Sequence, residues 1–199
     1  MSQFIETIQL LQGKLRNLEF HQERFERTRR EKLGIRNHPR LAEVICVPKG
    51  LDQGMLKCRV SYAEVIELIE YEAHQHRKLE SLKLVYSEDI DYGYKYADRS
   101  KLESLYLQRG DCDDILIVKE DMVSDSFYAN VIFRDGSDWI TPDTPLLPGT
   151  MRASLLNRGL ISEESIALED LSRYQGLKLI NAMQDLHSAI ELPMEAIHR

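Results

Sequence analysis

The stretch "DYGYKYADRS" (residues 91–100) places Lys95 among three tyrosines near the middle of the 199-residue chain. A lysine in water is a solvated cation and belongs at the surface. A lysine held among aromatic rings loses its proton more easily, and the free amine is a nucleophile. Lys95 is therefore the first candidate for a catalytic residue, with an ordinary surface lysine as the alternative.

The pattern before this stretch predicts one helix on a mostly antiparallel sheet. "QFIETIQLLQGKLRNL" (residues 3–18) alternates apolar and polar residues on both sides of Gln12-Gly13, which is typical of a hairpin. "EFHQERFERTRREKLG" (residues 19–34) predicts a helix that ends at Gly34. Three strand-like stretches follow: "MLKCRVSYA", "EVIELIEYEAH" and "ESLKLVYSE".

The pattern after this stretch is different. "DRSKLESLYLQRG" predicts a helix, "DDILIVKE" a buried strand, and "FYANVIFRDGSDWITP" a hairpin that turns at Asp135-Gly136. "TPLLPGTMRASLLNRG" begins as a loop and becomes an amphipathic helix, and "LEDLSRYQGLKLINAMQDL" contains a short helix and a strand. We therefore predict an α/β (α+β) chain of two domains, residues 1–92 and 93–199. The site is expected between the domains, where ligand clefts usually lie.

Composition excludes several classes of protein. The net charge of −7 argues against a dedicated nucleic-acid binder, and the 43% apolar content is enough for a folded core. Three cysteines without CxxC spacing favour neither a disulfide framework nor a metal site. The sequence shows neither a signal peptide nor a stretch that could span a membrane, so we expect a cytoplasmic protein.

Four features together indicate a cofactor. Lys95 supplies an amine, and Asp125 stands at the expected entrance to a hairpin. "LLPGTMR" (residues 146–152) puts a Pro-Gly turn before a helix, where backbone N–H groups and the Thr150 hydroxyl form a phosphate seat. Arg24 offers a charged fork to the same phosphate. Pyridoxal phosphate (PLP) needs an amine, a carboxylate and a phosphate seat. Each feature alone also has a structural explanation, as a surface lysine, a turn residue or a helix cap.

The order of these motifs resembles the class IV aminotransferase family, the fold-type IV PLP enzymes. That family includes branched-chain and D-amino-acid aminotransferases and 4-amino-4-deoxychorismate lyase. The resemblance runs nearly end to end and is carried by "FIETI", "H..RF", "YKYADR", "DDILIV", "VSD…ANVIF.DG..W.TP", "LLPGTMR" and "LKLINAM". It implies a two-domain fold like that of D-amino-acid aminotransferase, with PLP between the domains of each subunit of a homodimer.

The resemblance also implies roles for individual residues. Lys95 matches the lysine that bonds to the cofactor, and Arg24 the arginine that binds its phosphate. Thr150 and Met151 match the pair that holds the phosphate through main-chain amides and a hydroxyl. Leu147 matches the leucine that packs on the pyridine ring. Asn130 matches a family asparagine in the same hairpin.

Three departures from the family pattern are visible. Asp125 occupies the place of the glutamate that contacts the pyridine nitrogen; it keeps the charge on a shorter side chain. Ser100 stands where a tyrosine often contacts the ring hydroxyl. The chain is also shorter than most members, so loops on the substrate side are expected to be missing.

Three further residues are candidates for the substrate side. Arg59 has a guanidinium suited to a substrate carboxylate, although an arginine on a surface strand is an equal alternative. Tyr94 flanks Lys95, with packing as the alternative, and Tyr128 lies beside Asp125. His21 is expected to share a helix face with Arg24 as a buried, hydrogen-bonded histidine.

The resemblance leaves three functions open for a small-molecule amino substrate. The first is a 4-amino-4-deoxychorismate lyase that releases pyruvate and 4-aminobenzoate for folate synthesis. It is favoured because its substrate already carries the leaving group, so a short chain without a second-substrate pocket would suffice. The second is an aminotransferase acting on a branched-chain or D-amino acid. The third is a non-catalytic relative with a binding or regulatory role.

Overall fold

The computed structural model describes residues 3–51, 53–75 and 77–199. Within these residues the chain forms two compact units. The first comprises the described residues before residue 76 together with Tyr94–Asp98, and the second comprises Arg77–Gly93 with Arg99–Arg199. In the described part of the chain, no helix is long and apolar enough to cross a membrane.

The first unit is a four-stranded antiparallel sheet with one long helix. Its elements are β1 (Phe4–Leu11), β2 (Lys14–Leu15), α1 (Leu18–Leu33), α2 (Leu41–Val44), β3 (Met55–Tyr62) and β4 (Ile66–Ala73). The strand order is β2-β1-β3-β4. Phe4 and Ile8 from β1 and Val60 from β3 form a core with Phe25 of α1, because alternate residues of a strand share one face.

Two local predictions for the first unit are confirmed. Leu11 pairs with Lys14, so Gln12 and Gly13 form the hairpin turn, and their φ angles of 50° and 75° are those of a primed turn. The long helix ends at Gly34, whose φ of 69° lets its N–H bond back to the Arg29 carbonyl.

The second unit is a mixed sheet with two short α-helices. Its elements are β5 (Leu82–Tyr86), α3 (Ser100–Tyr106), β6 (Asp114–Lys119), β7 (Met122–Ser126), β8 (Asn130–Asp135), β9 (Asp138–Pro142), α4 (Thr150–Asn157), β10 (Ser162–Glu164), β11 (Gly176–Ile180) and β12 (Ile197–His198). The strand order is β10-β9-β8-β7-β6-β5-β12, and β11 pairs with β8. The pairs β5–β6, β5–β12 and β9–β10 are parallel.

The division into units differs from a single boundary between residues 92 and 93. The strand β5 pairs in parallel with β6 and buries Leu82 and Leu84 in the core of the second unit. Tyr94–Asp98 instead packs with the first unit, where Tyr96 bridges to Phe4. The pairing partner of a strand lies far away in the sequence, so the local pattern does not show which sheet it joins.

The region around Asp125, which was expected to be the entrance to a hairpin, contains an additional strand. Asp125 lies within β7, a strand that the pattern did not predict, and its backbone pairs with Asn130 of β8. The next hairpin is confirmed with a shift of one residue: Asp135 pairs with Asp138, so the turn residues are Gly136 and Ser137.

Candidate active site

Lys95 lies at the centre of a three-residue turn in the first unit. The Tyr96 N–H donates to the Tyr94 carbonyl (2.9 Å), and the Lys95 carbonyl accepts the Ile5 N–H of β1 (3.0 Å). This backbone is therefore irregular, and the strand alternation expected for Tyr94 and Tyr96 does not apply. The two bonds fix the Lys95 backbone against the end of β1, while its side chain is partly buried.

The Tyr94 side chain packs against α1. Its hydroxyl donates to Glu31 (2.8 Å), and the Lys32 ammonium lies 4.5 Å from its ring centre. The ring also stands edge-on to Tyr96 at 6.2 Å. These contacts match the packing explanation for Tyr94, and its role on the substrate side stays a prediction.

Arg24 of α1 is held by a carboxylate from β1. Its Nε donates to Glu6 Oε1 (2.9 Å) and its Nη2 to Glu6 Oε2 (2.6 Å), while His21 Nδ1 lies 2.6 Å from the same Oε2. Glu6 and His21 are both 0% exposed. The buried, hydrogen-bonded histidine is confirmed. Glu6 was not predicted, although its place between Phe4 and Ile8 in an apolar stripe was a signal for a buried charge.

The charges of this cluster fix the protonation of its members. Burial raises the pKa of Glu6, but the charge of Arg24 and hydrogen bonds from His21 and Arg24 outweigh it, so the pKa is lowered from 4.5 to about 2. The pKa of His21 is lowered, first by burial and to a lesser extent by the charges of Arg24 and Lys95, against the opposing effect of Glu6. A neutral His21 therefore donates its Nδ1–H to an ionised Glu6.

Arg59 lies on the other face of the first sheet. Its neighbours Cys58 and Val60 point into the core beneath α1, and Val60 is the register partner of Glu6. Because strand residues alternate between faces, Arg59 points away from the side on which Glu6 meets Arg24. Its predicted contact with a substrate carboxylate stays a prediction.

In the second unit, Asp125 and Asn130 meet the turn before α4. Asn130 Nδ2 donates to Asp125 Oδ1 (2.8 Å) and to the Leu147 carbonyl (2.9 Å), and the Leu147 N–H donates to Asp125 Oδ2 (3.0 Å). Asp125 is 6% exposed. Burial raises the pKa of Asp125 to about 6, and the hydrogen bonds from Leu147 and Asn130 limit the rise.

The start of α4 fits the predicted phosphate seat. Gly149 precedes Thr150, and the Ala153 N–H makes the first helical bond to the Gly149 carbonyl (2.9 Å). The amides of a first helical turn point out of the helix end, where they bind anions. A β-carbon at Gly149 would lie 2.0 Å from Asn130 Oδ1, so only glycine allows this approach. Thr150 and Met151 are both buried at this end.

Tyr128 lies in the tight connection between β7 and β8 and is 52% exposed. The Arg99 guanidinium lies 4.5 Å from the ring centres of both Tyr128 and Phe127, and Arg99 Nη2 donates to the Phe127 carbonyl (2.6 Å). Tyr106 stacks on Phe127 from α3. The substrate role of Tyr128 stays a prediction.

The comparisons with known proteins agree with this architecture. The family model described as Amino-transferase class IV matches residues 47–191. An uncharacterised protein of Haemophilus influenzae is 40% identical over 94% of this chain and 100% of its own length. A protein of Haemophilus somnus, proposed to be a 4-amino-4-deoxychorismate lyase, superposes with a TM-score of 0.89 at 34% identity, over 94% of this chain and 98% of that one.

A more distant structure shares the fold. A hypothetical aminotransferase of Mycobacterium tuberculosis, solved in its PLP-bound form, has a TM-score of 0.77 at 16% identity, over 96% of this chain and 80% of that one. The mixed α/β units with two sheets are those of fold-type IV enzymes. The chain belongs to the class IV amino-transferase family and is an enzyme of the PLP-dependent type. Its short length is shared with the two Haemophilus proteins.

Replacing Glu6 by Gln is expected to lower the free energy of unfolding by about 3–5 kcal/mol, because the Arg24 guanidinium would stay buried without its charge partner. Urea unfolding followed by circular dichroism measures this change. Glu80→Gln is the control, because Glu80 pairs with Lys78 at the exposed surface, where an ion pair contributes little to stability. A loss no larger than that of the control would contradict a stabilising buried pair.

The contribution of Asp114 and Asp125 to stability is expected to fall as the pH rises through about 4 to 6. Burial raises the pKa of both Asp114 and Asp125 from 3.8 to about 6, so in this range the folded chain binds more protons than the unfolded chain. Asp114→Asn keeps the Oδ1 acceptor of the Ile115 and Phe127 amides. It should reduce the fall in unfolding free energy between about pH 4 and 7 by about 1–3 kcal/mol.

Urea unfolding at a series of pH values measures this effect. Asp113→Asn is the control, because the pKa of the neighbouring Asp113 is lowered, chiefly by a hydrogen bond from the Glu80 backbone. The Asp113→Asn replacement should make the fall in unfolding free energy with rising pH steeper, not smaller. An Asp114→Asn profile parallel to that of the parent protein would show that Asp114 does not titrate as described.

Proposed function

We propose that the chain is a PLP-dependent 4-amino-4-deoxychorismate lyase that releases pyruvate and 4-aminobenzoate. The observation that carries this proposal is the match at 34% identity, over nearly the whole of both chains, to the Haemophilus somnus protein proposed to have that activity. The proposal includes a cytoplasmic homodimer that serves folate synthesis.

Each unit, taken by itself, contains residues that suit part of PLP. The first unit provides Arg24, fixed by Glu6, and Lys95, fixed by its backbone. The second unit provides the start of α4 with Thr150 and Met151. Following the resemblance to the family, we propose Arg24 as one candidate and the α4 amides as another for binding the phosphate, and Lys95 as the candidate for the aldehyde carbon.

The chemistry of the lyase requires one proton transfer that this chain can perform. Bound PLP supplies an electron sink for the substrate carbon that carries the amino group. Lys95, which would hold the cofactor aldehyde, would also be the group that takes the proton from that carbon. Leu147 would pack on the pyridine ring, and Arg59, Tyr94 and Tyr128 are the candidates for contacts with the substrate.

The second candidate function is a class IV aminotransferase acting on a branched-chain or D-amino acid, which the family description favours. Such an enzyme must accept two substrates in turn at the same site. The lyase needs one, because pyruvate leaves from the molecule that brought the amino group. Ser100, in the place of the common tyrosine, also fits the lyase better than the aminotransferase pattern.

The covalent role of Lys95 is expected to be visible in the absorption spectrum with PLP. The parent protein should show a visible band that borohydride abolishes, with the reduced label on the peptide that contains Lys95. Lys95→Ala should show neither, and Lys101→Ala, which changes an exposed lysine six residues away, should behave as the parent does. A label on another lysine, or no band in the parent, would contradict the assignment and favour a non-catalytic relative.

The choice between the two reactions is expected to follow from the products. The PLP-loaded protein, given 4-amino-4-deoxychorismate alone, should release equal amounts of 4-aminobenzoate and pyruvate without any added 2-oxo acid. Expression should also restore growth without 4-aminobenzoate in a strain that lacks the lyase. Transfer of amino groups from a branched-chain or D-amino acid to a 2-oxo acid, with no 4-aminobenzoate formed, would establish the aminotransferase instead.

A further inference from the structure

The turn before α4 is held by side chains from two neighbouring strands of the second unit. Asp125 of β7 accepts the Leu147 N–H, and Asn130 of β8 donates to the Leu147 carbonyl. Asn130 also donates to Asp125, so the two side chains fix each other. Together they satisfy both backbone polar groups of Leu147, as a neighbouring strand would.

Both oxygens of the Asp125 carboxylate accept a hydrogen bond in this arrangement. Oδ1 accepts from the Asn130 amide and Oδ2 from the Leu147 N–H. The side chain is 6% exposed. A further donor, such as a ring nitrogen, would have to share an oxygen with one of these two donors.

The Asn130 side chain also lies against Gly149, the residue directly before α4. A β-carbon at Gly149 would lie 2.0 Å from Asn130 Oδ1, so the backbone there rests directly on the Asn130 side chain. The Gly149 carbonyl accepts the first helical bond of α4, from Ala153. The position of Asn130 therefore determines where the helix begins and in which direction its first amides point.

We propose that Asp125 is a positioning residue: with Asn130 it fixes the turn of residues 146–149 and so aims the first amides of α4 at an oxyanion. That oxyanion is the phosphate of PLP, and this part of the inference rests on the proposed function. The aspartate therefore acts on the phosphate end of the cofactor through the turn. A carboxylate that contacted the ring nitrogen would act on the ring end.

The affinities for PLP and for pyridoxal, which lacks the phosphate, distinguish these two roles. Absorbance titration of Asp125→Asn should show a dissociation constant for PLP raised about ten-fold or more. The NH2 group of the new asparagine would face an N–H donor, either that of Leu147 or that of Asn130, where the carboxylate accepted a hydrogen bond. The constant for pyridoxal should change by less than about two-fold. Equal weakening of both ligands would overturn the proposal and establish contact with the ring.

Asp125→Glu gives opposite expectations for the two roles. The extra methylene group would push the carboxylate out of its buried position, so the proposal expects weaker binding of PLP and unchanged binding of pyridoxal. Direct contact with the ring nitrogen would instead make both ligands bind more tightly. Asn130→Ala should repeat the phosphate-selective loss. Asp143→Asn is the matched control, because it removes an exposed carboxylate from the same loop.

Hydrogen exchange separates a failure of this inference from a failure of the proposed function. In the protein without cofactor, Asp125→Asn should speed exchange in the peptide of residues 144–152, and Asp143→Asn should not. If the parent binds neither PLP nor pyridoxal, the proposed function fails. The exchange result still decides whether Asp125 and Asn130 hold the turn of residues 146–149. Unchanged exchange in Asp125→Asn would overturn the positioning role whatever the parent binds.

Discussion

The ion pair between Glu6 and Arg24 is the constraint on which the first unit depends. Apolar side chains hold α1 against the sheet, but such contacts tolerate sliding by fractions of a residue. Two hydrogen bonds from one guanidinium to one carboxylate do not, because both partners are planar and both bonds must align. The buried ion pair thus sets the rotation and position of α1 relative to β1.

The two units use buried carboxylates in opposite electrical settings. Glu6 faces a guanidinium, and its pKa is lowered to about 2, so it stays ionised. Asp125 accepts hydrogen bonds from neutral amides, and burial raises its pKa to about 6. Hydrogen bonds from neutral groups offset only part of the cost of removing a charge from water. Glu6 is therefore suited to hold a charged partner, and Asp125 to hold a backbone.

The sequence predicted what is encoded locally. The turn at Gln12-Gly13 and the end of α1 at Gly34 depend on a few adjacent residues with left-handed backbones. The strand β5 was recognised, but its sheet was not, because its partner β6 lies about thirty residues later. The order of motifs indicated the family and its candidate residues. Glu6 was missed because its partner is on a helix, and the role of Asp125 depends on a turn some twenty residues further on.

Two adjacent residues of β1 hold two different candidate residues of the site. The Ile5 backbone bonds to the carbonyl of Lys95, and the next residue, Glu6, anchors Arg24. A shift of β1 by one residue would turn Glu6 to the other face and move the backbone group that holds Lys95. The lysine proposed to bond to the cofactor and the arginine proposed to bind its phosphate are thus both held by β1. A molecule that loosened this strand would release both residues at once.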